Sequence, residues 1–408
     1  MSDEWRCVSA ASVARIEIGG TPAREQLAFW ADQDSGYPWA SIADLNSEVI
    51  VETAEYISDL GVKSSNVKLV PAGTPIMSFK LTIGRTSLAG RDLYTNEAIA
   101  AFFVDPAQVD QRYLFHILPG VARSVVTDVA IKGATLNKKS LSSMQLWLPP
   151  LSEQRRIREI MDGLDDQIRL SGQVVEKLRT TRAALRCTLI CDDSRVNWRR
   201  DWPLKPLRSV VARIDSGKSP DCPDVPAAPG QRGVLKVSAV GRDHFRPMEN
   251  KVIPSHVYIA PGSEVRQGDI LMTRANTPDL VGMICLVDRS FVGRLVLSDK
   301  TWRINLGTSL DAPFLVEALR ATPSRRYIQN VATGTSGSMK NFSQAALMKM
   351  PVPVPDQGAR QRIVECMAGI TARIDAEEET INKLRMTKAG VLSDLSSGRA
   401  RIPNEVTP

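Results

Sequence analysis

The sequence predicts an α+β chain in which two β-rich α/β domains are separated by two long helices forming an antiparallel coiled coil. The second domain–helix pair repeats the first about a pseudo-two-fold axis. Three observations predict this. The chain aligns with itself, two long stretches carry a four–three apolar spacing, and short apolar segments bounded by turn residues fill the rest. The expected segments are a globular domain at 1–150, a long helix at 151–196, a second globular domain at 197–354, and a second helix with its tail at 355–408.

The repeat is legible from the start of each domain. Residues 12–22 (SVARIEIGGTP) lie over 210–220 (VVARIDSGKSP), identical at six of eleven positions at an offset of 198. Residues 73–78 match 268–273 at an offset of 195. Asn137, with the stretch ending Leu148-Pro149, matches Asn341, with the stretch ending Val352-Pro353, at an offset of 204. Drifting offsets mean that loops changed length while the framework held.

Within each domain, strands are expected at 37–42, 75–79, 98–104, 233–238 and 269–273, where apolar residues alternate with Gly, Pro, Asn and Asp turns. Helix is expected at Pro313–Arg320. Polar loops follow several strands. Lys80, Thr82 and Arg85 sit in a loop equivalent to the one carrying Arg274 and Asn276. Lys132, Asn137 and Lys138 sit in a second loop, equivalent to the one carrying Lys340 and Asn341. Mixed Gly, hydroxyl, amide and cation suit phosphate and base-edge contacts, so these ten are the candidate nucleic-acid-binding residues.

The helices carry the strongest anchor. Ile157, Met161, Leu164, Ile168, Ser171, Val175, Leu178, Arg182, Leu185 and Leu189 alternate by four and three. Adding 206 gives Ile363, Met367, Ile370, Ile374, Glu377, Ile381, Leu384, Lys388, Val391 and Leu395. This is a heptad seam, and both copies break it at the same two places, Ser171/Glu377 and Arg182/Lys388. Two helices related by a two-fold axis in the order domain, helix, domain, helix must run antiparallel. Ser152 is the expected cap of the first helix, which should end near Cys191-Asp192-Asp193. Asp356 is the expected cap of the second, which Gly358 should delay by a residue or two and which should end at Ser396-Ser397-Gly398.

Composition narrows the function. The net charge of +7 is unevenly spread: residues 1–150 carry −3 and residues 197–354 carry +9. A polyanion suits the second domain, while the first must use a few placed cations. The longest apolar run, Val281–Val287, is far too short for a membrane, and Met1–Arg6 offers no basic start leading into an apolar stretch, so a cytoplasmic location is expected. The six cysteines form no CxxC. Cys187 and Cys191, four apart, are half a metal site that nothing completes, so no metal is expected. The histidines His116, His244 and His256 are isolated. Gly217-Lys218-Ser219 fails as a phosphate loop because Ala212 stands where a glycine is required. Pro223-Asp224 with Glu249-Asn250-Lys251 loosely fits a nuclease pattern, and no Asn-Pro-Pro-aromatic, GxSxG or HExxH occurs. No catalytic residue is expected. Two alternatives stand beside DNA reading: a self-contained nuclease using Asp224, Glu249 and Lys251, and a coiled-coil scaffold without nucleic acid.

The chain resembles the specificity subunit of type I restriction–modification enzymes over essentially its whole length. The resemblance rests on Gly19-Gly20-Thr21-Pro22, on Pro149-Pro150-Leu151-Ser152-Glu153-Gln154-Arg155-Arg156-Ile157, on Leu395-Ser396-Ser397-Gly398-Arg399, and on the duplication itself. The second copy departs at Gly217-Lys218-Ser219-Pro220 and at 355–363, which is read as carrying extra residues. The resemblance implies that each globular copy is a target recognition domain for one half of a split, asymmetric DNA site. The helices then set the spacer and dock two methyltransferase subunits. Those subunits bind S-adenosylmethionine and methylate adenine, while this chain binds no cofactor. A restriction/translocase subunit completes the complex.

Overall fold

The computed structural model describes residues 5–131, 136–192, 196–259, 261–307, 310–334 and 339–396. The chain divides into two compact units: Met1–Gly172 with Glu379–Pro408, and Gln173–Glu378. The division falls inside each long helix, so each unit takes half of both helices together with one globular lobe. Among the described residues no helix is long and apolar enough to cross a membrane.

In the first unit a five-stranded sheet runs in the order Ala14–Ile18, Ile99–Val104, Pro75–Ser78, Thr86–Ala89, Val49–Ile50. A second sheet has the order Trp30–Ala31, Glu55–Ile57, Tyr37–Ala40, Tyr94–Thr95. Arg6–Ser9 pairs with Gln145–Leu148. In the second unit the order is Val211–Ser216, Thr301–Leu306, Ile270–Thr273, Ile284–Leu286, beside a sheet of Asn250–Val252, Arg232–Leu235 and Arg294–Val296. Leu204–Pro206 pairs with Pro351–Pro353. The two lobes share the order of four strands in the larger sheet and of three in the smaller, and the first lobe adds Val49–Ile50 and Trp30–Ala31. In both, the second strand of the larger sheet is an interior six-residue segment, Ile99–Val104 or Thr301–Leu306.

The long helices span Leu151–Ile190 and Gln357–Ser396, forty residues each. In the first unit Ile157 and Met161 share a buried core with Leu395, against which Leu164 and Val391 pack. In the second, Ile190 shares a core with Ile363 and Met367. In each unit an early turn of one helix meets a late turn of the other, which is antiparallel pairing. All twenty seam positions, including Leu178, Leu185, Ile168, Ile370, Ile374, Ile381 and Leu384, are buried or half-buried. The seam defects also have a use. Lys388 Nζ reaches Asp165 Oδ1 at 2.6 Å, and Arg182 Nη1 reaches Thr371 Oγ1 at 3.3 Å. Asp165 and Thr371 are themselves 206 apart, so the repeat places a cation opposite the same helical position in each copy.

Several local expectations are corrected. The first helix starts at Leu151, and the Pro150 carbonyl accepts from Glu153 N (2.9 Å) and Gln154 N (3.0 Å), so Ser152 lies inside the first turn and does not cap it. Gly358 does not delay the second helix. It starts at Gln357, with Asp356 Oδ1 accepting from Ala359 N at 2.9 Å. Residues 355–363 carry no extra residues, since both helix starts align residue for residue at 206. Gln154 Nε2 donates to Pro149 O (2.9 Å), as Arg360 Nη1 donates to Pro355 O (3.0 Å). The first helix ends at Ile190, and the second runs through Ser396, with Ser397 and Gly398 outside the described residues.

The anchor at 204 is off by two. Asn137 caps Lys138–Ser142 by accepting from Ser140 N, and its counterpart is Ser343, which caps Gln344–Met348 by accepting from Ala346 N. Asn341 sits two residues earlier, in a short strand. The strand expected at 233–238 runs Arg232–Leu235 and turns into a 3-10 turn at Val237–Ala239. The helix Gln111–Ile131 was not legible, because Pro119-Gly120 punctuate it.

Candidate nucleic-acid interface

The loop carrying Lys80, Thr82 and Arg85 is built on Ser78, a fully buried strand end. Ser78 N donates to Arg85 O at 2.8 Å, and Gly84 N donates back to Ser78 O at 2.9 Å. The Ser78 hydroxyl donates to Thr82 O. The neck is thus closed while the tip stays out: Leu81 is 93% exposed with φ 58°, and Lys80, Thr82 and Arg85 are all exposed.

Thr273 repeats this arrangement in the second lobe. Its N donates to Met283 O (2.8 Å), Gly282 N donates to its O (3.0 Å), and its hydroxyl donates to Leu280 O (3.1 Å). Gly84 and Gly282 both take positive φ, 84° and 72°. A Cβ would stand 2.7 Å from Ile328 Cγ2 at Gly282 and 3.3 Å from Ala122 Cβ at Gly84. Two loops of different sequence are therefore pinned by one device.

In the second lobe the structure brings four candidate residues together. Ala275 pairs with Asn341 and Asn276 with Lys340 in a two-residue antiparallel ladder, next to exposed Arg274. Lys340 Nζ donates to Gly334 O at 3.1 Å, and Asn276 Oδ1 accepts from Thr277 N at 2.8 Å. In the first lobe, Lys132 lies outside the described residues. Lys138 Nζ stands 3.5 Å from Glu17 Oε2 on the edge strand, where Arg15 also pairs. The Arg15 hydrogen bond, against a small burial effect, holds the Glu17 carboxyl below the ordinary glutamate range. Asn137 Oδ1 is committed to its cap.

The glycine-rich starts serve packing. A Cβ on Gly19 would stand 2.1 Å from Thr95 O, and one on Gly217 would stand 1.8 Å from Leu297 O. In both lobes the following hydroxyl meets a carboxylate, Thr21 with Glu97 and Ser219 with Asp299, so Lys218 in place of Gly20 leaves the motif's contact intact. Sequence reasoning missed Arg24, whose guanidinium lies 4.2 Å from the Trp30 ring and 4.9 Å from the Trp39 ring while pairing with Glu55.

The residues weighed for chemistry are otherwise engaged. Asp224 is exposed and bound by Lys236 at 2.5 Å, with Lys251 at 3.9 Å. The Lys236 hydrogen bond holds Asp224 below the usual range. Glu249 Oε2 accepts from Ser238 at 2.6 Å. Burial pushes the Cys191 and Cys285 thiols up to about 12, which suits inert structural cysteines. His244, Asp375 and Glu378 converge within 4.8 Å, unforeseen in sequence, but Arg289 pairs with Asp375 and Arg179 with Glu378.

Residues 2–180 match the profile of the family described as type I restriction modification DNA specificity domain. The chain is 28% identical over 190 residues to the EcoEI type I restriction enzyme specificity subunit of Escherichia coli, covering 46% of this chain and 32% of that protein. It is 24% identical over 191 residues to the EcoR124I/EcoR124II specificity subunit of Escherichia coli, 43% of each. Against these two relatives the match spans less than half of either one's length. A longer match, 21% identical over 316 residues and 72% of each chain, is to the MjaVIII specificity subunit of Methanocaldococcus jannaschii. Among solved structures, a chain from a study of complex assembly and conformational transition of the type I R-M system matches with TM-score 0.57 at 15% identity, covering 96% of this chain and 97% of that one. The S subunit from M. genitalium matches with TM-score 0.50 at 12% identity, 96% of each.

Proposed function

We propose that the chain is the non-catalytic, sequence-reading subunit of a type I complex, a reading supported by the match of residues 2–180 to the type I restriction modification DNA specificity domain. The observation that carries the reading is the paired loop neck at Ser78 and Thr273. Each lobe pins a polar, cation-bearing loop in the same way while the loop sequences differ. A fixed neck with a variable tip is what two readers of two different half-sites need.

In this reading each lobe contacts one half of a split, asymmetric duplex site. Lys80, Thr82, Arg85, Lys132 and Lys138 serve in the first lobe, and Arg274, Asn276, Lys340 and Asn341 in the second. Asn137 acts by holding its loop. Forty-residue helices are about 60 Å long, enough to bridge half-sites one DNA turn apart, about 34 Å. Apolar residues left exposed on them, Leu170 and Val174 one turn apart and Met386, offer docking surface for two methyltransferase subunits. Those partners bring S-adenosylmethionine and methylate adenine, a restriction/translocase subunit joins them, and the assembly works in the cytoplasm. The excess positive charge of the second lobe makes it the larger contributor to phosphate affinity.

The test is co-expression with the cognate methyltransferase in a methylation-free host, followed by single-molecule methylation mapping. A bipartite adenine motif is expected. Deleting one heptad from each helix should change the spacer and leave both half-sites alone; altered half-sites with an unchanged spacer would sink the proposal.

A further inference from the structure

The second unit contains a recessed cavity of about 600 Å³ walled by arginine. The last turns of the first long helix supply Arg179, Arg182 and Arg186. The loop after Val237–Ala239 supplies Arg242 and Arg246, and the paired helices of the lobe supply Arg320 and Arg325. On the same wall stand only three carboxylates, Glu176, Asp243 and Asp279.

Pairing leaves this charge short of partners. Asp243 is shared by Arg182 and, at 2.9 Å, by Arg179, which also takes up Glu176 and, at 2.6 Å, Glu378, so five carboxylates including Glu317 and Asp279 face seven arginines. Glu317, buried behind the wall, is shared by Arg186 Nε at 2.6 Å and Arg320 Nη1 at 3.1 Å. Arg325 has two carbonyls, Val281 O at 2.8 Å and Asp279 O at 3.1 Å. The exposed side chains of Arg242 and Arg246, at the mouth, have no partner among the described residues.

The crowding is felt by the groups themselves. Burial, then the nearby Arg320 and Arg186, push Arg182 down to about 10. Arg325 is lowered by burial and then by Arg242. Buried cations that repel one another are stabilised by an anion placed among them, and guanidinium forks match the oxygens of phosphoryl groups two at a time. The floor is recessed, with Arg182 4% and Arg186 8% exposed, which suits a compact ligand better than a duplex backbone.

We propose that this cavity binds a small free phosphoryl-bearing anion, with inorganic diphosphate as the simplest member of the class. Binding would tie the second lobe's Arg242–Arg246 loop to the last turns of its helix. The cavity shares Asp279 and Gly282 with the loop pinned at Thr273, but none of the side chains assigned to DNA above lines it.

The experiment titrates inorganic diphosphate into the full chain by calorimetry, at ionic strength matched with chloride. Saturable one-to-one binding is expected. The double variant Arg242→Gln/Arg246→Gln alters only exposed side chains and should weaken binding by about tenfold or more. The control Arg200→Gln/Arg208→Gln removes the same charge from exposed positions off the cavity wall and should bind as the parent does. Three results overturn the proposal: no saturable binding by the parent chain, equal loss in the two double variants, or stoichiometric displacement of diphosphate by a short DNA duplex.

Discussion

Replacing Glu317 by glutamine should loosen the second lobe from its helix without unfolding the first unit. Glu317 sits on Ala312–Arg320, 7% exposed, between Arg186 of the long helix and Arg320. Burial alone would raise its carboxyl; Arg186 and Arg320 more than reverse this and hold it below the ordinary glutamate range. Removing its charge leaves two buried guanidinium groups uncompensated, which costs about 3–5 kcal/mol when a buried pair is broken. Glutamine keeps an acceptor oxygen, so about 3 kcal/mol is the working value, a factor of about a hundred in the local opening equilibrium. Hydrogen exchange on the full chain reads this directly. Amides of Phe314–Leu319 and of the turns around Arg186 should lose about two orders of magnitude of protection, and those of Tyr113–Leu118 in the first unit should not change. The pH dependence has a definite sign. A carboxyl whose folded pKa is depressed contributes stability above its unfolded value and loses it as pH falls through the folded pKa, so parent and variant should converge on acidification below about pH 4. A loss of protection under about threefold, or one spread evenly over both units, would refute the assignment.

Other consequences are as specific. Gly282→Ala must place Ala at φ 72° with Cβ 2.7 Å from Ile328 Cγ2, whereas Gly84→Ala shares the strain but meets Ala122 only at 3.3 Å. Strain of about 1 kcal/mol is common to both and overpacking adds about 1–3 kcal/mol to the first; reporter cleavage or methylation should show Gly282→Ala as the more damaging. Gln154→Ala removes three hydrogen bonds, to Asp110 N, Gln108 O and Pro149 O, and should lower stability by about 2–4 kcal/mol in urea unfolding monitored at Trp5 and Trp147. His116 is buried, and burial, then Lys388, depress its pKa against the opposing pull of Asp162 and Asp165. It therefore favours folding above about pH 6.5, and this contribution fades as pH falls toward the depressed value; His116→Gln should flatten an acid-stability curve just below about pH 6.5.

The heptad seam shows how far local pattern reaches. Ile157 to Leu189 and Ile363 to Leu395 were legible because helical geometry puts every fourth and third residue on one face, whatever lies around it. The strands at 75–78 and 99–104 were legible for the similar reason that apolar runs between turn residues have few other solutions. The Gln111–Ile131 helix was not, because Pro119 and Gly120 carry local costs that burial of Tyr113, Leu114, Ile117 and Leu118 outweighs. Asn137 shows the opposite failure. An amide beside two lysines reads as a DNA contact, yet its oxygen is spent on Ser140 N.

The sequence by itself determined the duplication, the two helices and their antiparallel sense, since these follow from periodicity and from the symmetry of a repeat. Only the tertiary structure decided what the irregular residues do. Ser78 and Thr273 become loop pins, Lys388 and Arg182 find Asp165 and Thr371, and seven arginines gather around one cavity in the second unit. The physical reason is that polar groups act over hydrogen-bond distances, and residues separated by as many as 223 positions come within that distance only when the backbone has folded.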